Sequence, residues 1–143
     1  LVEAGSAIPL FSFGALDENG ELIRDPSFPD LPHFGEVYEM LGKTREGIEW
    51  RSWFAFMSAG FGGVKLLVVP KETPDVLIEQ YQKAITDMKQ DPQYLETKEA
   101  ALGLYEQLVG AKAKKIFELA TNVGQEEKDW VKEWLRRTYD LNI

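Results

Sequence analysis

The chain has few side chains suited to acid–base chemistry, and they do not cluster along the sequence. It contains one histidine, His33, and no cysteine in 143 residues. A hydrolytic triad would have to include His33, and the sequence has no G-x-S-x-G elbow to supply a serine nucleophile. His33 lies between Pro32 and Phe34, where a role at a helix start or in packing is the favoured interpretation. An acid–base role with Asp30 or Glu36 is the alternative.

Metal and cofactor signatures are missing from the sequence. The carboxylates are scattered, and neither a D-x-D-x-D-G loop nor a G-x-x-x-x-G-K-[ST] phosphate loop occurs. Glu126 and Glu127 are adjacent and therefore point to different faces of a helix. The positive end of that helix explains both residues better than catalysis does. We predict no metal, no cofactor and no enzymatic activity.

Phe61, Gly62 and Gly63 form the most suggestive short motif. Glycines before a strand let backbone N–H groups approach an anion, or let two lobes hinge. A helix end followed by a turn is the simpler interpretation and is favoured. These three residues are nevertheless our candidates for ligand binding, as a hinge or the edge of a cleft.

Aromatic residues are grouped in two places. Trp50, Trp53, Phe54 and Phe56 either line a pocket or pack in a core, and core packing is favoured. Trp130 and Trp134 are one helical turn apart and are expected in the core.

The charge pattern excludes some classes of partner. The net charge is −8, and residues 1 to 40 carry eight acids against a single base, Arg24. Nucleic acids and anionic membranes demand clustered Lys and Arg, so neither is expected as a partner. The acidic stretch is interpreted as solvated loop, with a partner-facing surface as the alternative. The longest uncharged apolar run, 54–64, is too short to cross a bilayer.

Strands that alternate with helices indicate an α/β protein that buries one core. Apolar runs predict buried strands at 7–14 and 64–69 and a short strand at 104–108. The Asn19-Gly20 pair predicts a hairpin that returns over 21–24. Helices are predicted over 34–41, 44–58, 73–90, 91–101, 113–121 and 125–139, with Thr73 as one N-cap and Asp91-Pro92 as another start. The 44–58 helix is expected to be buried on most faces.

The order of several motifs resembles one receptor family. VKLLVVPKETPDVLIEQYQKAI gives a strand, a Pro-x-x-Thr-Pro turn and a long helix, and QDPQYLE starts the next helix. Upstream stand AIPLFSFG and FPDLPHFGEVYEML, and EEKDWVKEWL closes the chain. This order is similar to that of the tripartite tricarboxylate transporter substrate-binding (Bug-type) periplasmic receptors. Val64 and Glu72 depart from the family pattern, which usually has Trp and Gly there, and DENGE is an insertion.

The resemblance implies a partial α/β fold of the periplasmic-binding-protein type II-like kind. Residues 1–62 would be the remainder of the second lobe, and residues 63–143 the returning strand and carboxy-terminal helices of the first. The implied function is to capture a small organic carboxylate outside the cytoplasm and deliver it to membrane permease subunits. The chain opens at Leu1 without a start methionine, so we expect the carboxy-terminal part of a longer protein. Such a fragment is expected to form homodimers. A small enzyme using His33 and an acidic protein-interaction domain are the alternatives.

Overall fold

Six helices and one short hairpin make up the computed structural model, which describes residues 1–141. The hairpin consists of β1 (Ala15–Leu16) and β2 (Leu22–Ile23), paired antiparallel with Leu16 opposite Leu22. The helices are α1 (Phe34–Met40), α2 (Gly47–Phe61), α3 (Asp75–Met88), α4 (Pro92–Leu102), α5 (Gly110–Thr121) and α6 (Gln125–Tyr139).

The hairpin forms where the Asn-Gly pair predicted it. Gly20 has a φ of +74° and donates its N–H to the Asp17 carbonyl over 2.9 Å. The Asp17 carboxylate accepts from the backbone N–H groups of Asn19 and Glu21, both at 2.8 Å. These bonds lower the pKa of Asp17, the bond from Glu21 most strongly. Because Asn19 does not have a positive φ, the turn is not the type I′ turn that Asn-Gly pairs often form, and Gly20 alone takes the left-handed conformation.

Two helices begin at side-chain caps, and both starts were predicted. Asp91 accepts from the N–H groups of Gln93 and Tyr94, at 2.8 and 3.2 Å, and Pro92 occupies the first turn of α4. His33 caps α1. Thr73 does not cap α3, because the helix begins one residue later than predicted, with Pro74 at the N-cap.

The packed centre of the molecule is the contact of α2 with α5 and α6. Met57 of α2 and Ile116 of α5 are buried there, and Tyr38 of α1 is the third buried apolar residue. On α3, Leu77 and Tyr81 are exposed, and neither α3 nor α4 buries a residue. α2 is also less covered than predicted, since only Ser52, Met57 and Ser58 are buried along it.

Three predicted strands do not form within residues 1–141. Residues 7–14 contribute a single bridge, between Ser12 and His33, and residues 64–69 and 104–108 pair with nothing. Several of their apolar side chains stay largely in solvent, with Ile8 83% and Val64 73% exposed. A strand needs a neighbour to bond its backbone, and in the described chain these runs gain no strand pairing beyond the Ser12–His33 bridge.

The result is a mixed, helix-rich protein with a small two-stranded sheet, which agrees with the α/β class in general. α2, from the first predicted unit, packs on α5 and α6 of the second. The division at residues 62 and 63 stays a prediction.

Candidate functional site

A cavity of about 530 Å³ opens between α1, α2 and α6, and the segment before β1 covers one side. That volume is typical of small-molecule sites, which are mostly apolar with a few placed polar groups. The wall of this cavity is likewise mostly apolar. Its side chains are Phe13, Phe34, Tyr38, Glu49, Ser52, Trp53, Phe56, Met57, Phe61, Trp130, Val131 and Trp134.

One face of α2 supplies most of this wall. Residues three and four apart share a helix face, and the lining residues of α2 recur at that spacing. Trp53 and Phe56 were predicted to line a pocket or to pack in a core, whereas Glu49, Ser52 and Met57 were not predicted as site residues. The signal was present in the spacing of Glu49, Ser52, Trp53, Phe56 and Met57.

The aromatic group of α2 both packs and lines the cavity. Trp53 stacks on Phe34 of α1 at a centroid distance of 4.4 Å and lies 4.9 Å from Trp50. Trp50 in turn stacks on Phe54, with ring centroids 6.3 Å apart. These two rings do not line the cavity, whereas Trp53 and Phe56 do. Both predicted roles therefore occur in this group: Trp50 and Phe54 only pack, and Trp53 and Phe56 also line the cavity.

α6 supplies the opposite wall. Trp130 and Trp134 are parallel to within 5°, with centroids 6.3 Å apart, and Tyr139 meets Trp134 edge-on at 5.4 Å. They face the cavity as expected for an inward helix face, but they are half-buried rather than enclosed. In the described part of the chain, no ring of α6 stacks on a ring of α2.

Ser52 is the polar group within the apolar wall. It is 0% exposed, and its hydroxyl has no hydrogen-bond partner among residues 1–141. A helical serine usually bonds the carbonyl four residues earlier, as Thr86 and Thr121 do elsewhere in this chain. Leaving a buried hydroxyl unpaired costs about 1–3 kcal/mol.

Glu49 gives the cavity its charge. It is the one charged side chain of the wall within the described chain, and Lys43 pairs with it over 2.8 Å. This lysine holds the pKa of Glu49 below its usual value, and burial raises the pKa of the nearby Tyr38 hydroxyl. The carboxylate is thus ionised at neutral pH, and the cavity has no cation of its own to bind an anion.

The predicted hinge residues lie at the rim of the cavity. Phe61 lines it and contacts Phe13 at a centroid distance of 5.5 Å. Gly62 ends α2 with a helical φ of −68°, so its lack of a side chain serves close approach rather than a left-handed turn. A Cβ there would lie 2.5 Å from the Ser58 carbonyl oxygen and 3.1 Å from Leu16. Gly63 faces Leu66 and Ala120 without crowding.

His33 begins α1 with a reciprocal capping box. Its Nδ1 accepts from the Glu36 N–H at 3.2 Å, and the Glu36 carboxylate accepts from the His33 N–H at 2.8 Å. Arg24 clamps the same carboxylate and lowers the pKa of Glu36 to about 2. Burial lowers the pKa of His33. The structure therefore confirms the helix-start interpretation, and Glu36 rather than Asp30 is the partner of His33.

Glu126 and Glu127 act together in a way that the sequence did not indicate. Both bind Arg51 of α2, Glu126 to a terminal guanidinium nitrogen at 2.7 Å and Glu127 to Nε at 3.2 Å. This fork ties the first turn of α6 to α2 beside the cavity.

Residues 1–141 contain no helix long and apolar enough to cross a membrane, and no cluster of potential ligands for a metal ion. No family model, curated protein or solved structure matches the chain.

Proposed function

We propose that this chain is the carboxy-terminal part of an extracytoplasmic solute-binding receptor. In this proposal the receptor captures a small organic carboxylate and delivers it to a tripartite tricarboxylate-type transporter. The first support is the order and spacing of the motifs from AIPLFSFG to EEKDWVKEWL.

The observation that carries the proposal is the exposure of two extended apolar segments. Leu10 and Val68 are 74% and 71% exposed, and the backbones of 7–11 and 64–69 are unpaired within the described chain. Exposed apolar backbone edges of this kind favour pairing with other strands. Sheets of a two-lobed receptor would supply such strands, because each lobe is built around an α/β sheet.

Anion binding in this proposal uses backbone groups rather than lysines. α5 begins without a side-chain hydrogen bond at the N-cap and without an acidic residue in its first turn. The first N–H groups of a helix have no partner within the helix and lie at its positive end. Such ends can hold a carboxylate in a protein whose net charge is −8.

The test is a thermal-shift screen of the complete encoded protein against carboxylates. Succinate, citrate and phthalate are compared with their neutral amides, so that size is matched and charge is not. A ligand at a hundred times its dissociation constant adds about 2.7 kcal/mol to the free energy of unfolding. The proposal expects a saturable rise in melting temperature with one acid and none with its amide.

The variant His33→Ala separates a receptor from an enzyme. A receptor loses stability through the lost cap but keeps its affinity for the carboxylate. An enzyme that uses His33 in catalysis would turn over a substrate and lose that turnover in the variant. No shift with any acid, together with turnover that depends on His33, would refute the receptor.

A further inference from the structure

We infer that His33 is an acid-sensitive switch: when its ring is protonated, α1 detaches from α2 and the cavity wall that α1 supplies opens. The inference goes beyond the proposed function, because it concerns a conformational change of this chain and requires no particular ligand. Three features of the structure lead to it: the hydrogen bond that the ring accepts, the groups packed around the ring and the segments that depend on it.

The His33 ring accepts a hydrogen bond at the start of α1, and only the neutral ring can do so. Nδ1 accepts from the Glu36 N–H at 3.2 Å, so the proton of the neutral ring lies on Nε2. The imidazolium carries a proton on both nitrogens and has no acceptor in any orientation. It would turn an N–H towards the Glu36 N–H and place a positive charge at the positive end of the helix. The Glu36 N–H also donates to the His33 carbonyl at 2.9 Å, so protonation weakens this helix start rather than abolishing it.

The fold gives the charged ring little room and little water. His33 is 5% exposed. A Cβ built on Gly35 would lie 2.9 Å from Cε1 of the ring, 3.0 Å from Trp50 and 3.1 Å from the guanidinium carbon of Arg45. The ring is therefore packed beside an aromatic side chain and a second cation.

In the described chain, the charged groups that face the ring are two acids and two bases. Glu36 and Glu39 of α1 attract the imidazolium, and Arg45 and Arg24 repel it. Both acids already have basic partners, since Arg24 holds Glu36 and Arg45 holds Glu39, each at 2.8 Å. Burial is the largest influence, and it lowers the pKa of His33. Protonation therefore favours conformations in which the ring reaches water.

α1 depends on its first turn because it is short and is attached to α2 through side chains. It has seven residues, and a helix of that length is marginal without support from its surroundings. Phe34 stacks on Trp53 at a centroid distance of 4.4 Å, and Tyr38 meets Trp50 at 5.5 Å. Phe34 and Tyr38 also line the cavity. A loosened α1 would therefore take part of the cavity wall with it.

His33 is also the attachment point of the segment that covers one side of the cavity. Ser12 donates its N–H to the Pro32 carbonyl at 3.0 Å and accepts from the Phe34 N–H at 2.9 Å, which forms the bridge at His33. Phe13, the next residue, lines the cavity. Release of the His33 region would thus free two sides of the wall together.

Hydrogen–deuterium exchange of this chain between about pH 7.5 and 5 tests the switch, with each rate divided by the intrinsic rate at that pH. A lowered pKa means that the open form binds the proton more tightly, so acid favours opening. The opening constant of α1 should rise as pH falls below about 6.5, by up to about tenfold per pH unit, because one proton is taken up on opening. The Met57 region of α2, in the packed centre, should be better protected than α1 at every pH.

Two variants separate the titration from the cap. His33→Asn keeps a side-chain acceptor but does not titrate, so α1 should exchange as in the unaltered chain at pH 7.5 and show no rise in acid. His33→Ala lacks the cap at every pH, so α1 should open about fivefold more often already at pH 7.5. The sequence has one histidine, so no other histidine titrates in this range. Glu36, with a pKa of about 2, stays ionised throughout.

Three results overturn the inference. The first is an opening constant of α1 that stays constant as the pH falls. The second is a rise that persists in His33→Asn, because another group would then be responsible. The third is equal protection of α1 and the Met57 region at pH 5, because the whole fold would then open together. If His33→Asn does not fold, His33→Ser, another uncharged N-cap residue, takes its place.

Discussion

The substitutions Gly60→Ala and Gly62→Ala should change the free energy of unfolding in opposite directions, although both residues lie at the end of α2. Nothing lies within 4 Å of a Cβ built on Gly60, which is exposed within the helix. Glycine in a helix interior is less stable than alanine by roughly 0.5–1 kcal/mol. Gly60→Ala should therefore raise the free energy of unfolding by about that amount.

Gly62→Ala should lower the free energy of unfolding. The new Cβ would lie 2.5 Å from the Ser58 carbonyl oxygen, a backbone atom that cannot move without disturbing the last turn of α2. Leu16 of the hairpin, at 3.1 Å, closes the other side. Overpacking of this kind costs typically about 1–3 kcal/mol. The two variants should then differ by about 1.5–4 kcal/mol.

Urea unfolding followed by tryptophan fluorescence measures both variants. Four tryptophans, in α2 and α6, report on the packed part of the fold. The midpoint should shift with an unchanged slope, because the surface exposed on unfolding is the same. If Gly62→Ala is as stable as Gly60→Ala, the close approach of the α2 end to the hairpin is not real, and the placement of the hinge candidates at this rim is wrong.

Three further predictions concern ion pairs and association. Acid should destabilise the protein in two stages: the lowered pKa of His33 makes stability fall as pH drops below about 6.5, and the pKa of Glu36 near 2 makes it fall again between 4.5 and 2. His33→Asn, which keeps a cap, should remove the first stage only, and a pH series of thermal melts in which the variant matches the wild type would contradict this. Arg51→Ala should cost about 0.5–1 kcal/mol in urea unfolding, and Arg51→Lys should recover part of it, because the charge remains but the two-pronged contact with α6 is lost. Sedimentation should show dimers, since exposed apolar segments would otherwise face water; a clean monomer at high concentration would speak against it.

Much of the helical structure could be predicted because its signals are local. The bounds of α6 follow from the glutamates in its first turn and the arginines in its last, and they match the structure at both ends. The start of α4 follows from the Asp91-Pro92 pair, and the hairpin from Gly20. Each of these signals acts within one turn of the chain, through a cap, a fixed φ or the helix dipole.

The candidate site could be predicted only in part. Phe61 was named beforehand and lies on the cavity wall, but Ser52 and Glu49 were not named as site residues. Ser52 reads as an ordinary helical serine in the sequence. Its importance arises because packing removes it from water without giving its hydroxyl a partner.

The sequence alone determined the helices, the turn and the acidic charge, because these depend on neighbours along the chain. Tertiary structure decided whether the apolar runs at 7–14 and 64–69 became strands, since a strand needs hydrogen-bond partners from elsewhere. It also decided that tryptophans from α2 and α6, about eighty residues apart, face each other across one cavity. A contact between distant residues depends on how the helices pack, and no local pattern specifies it.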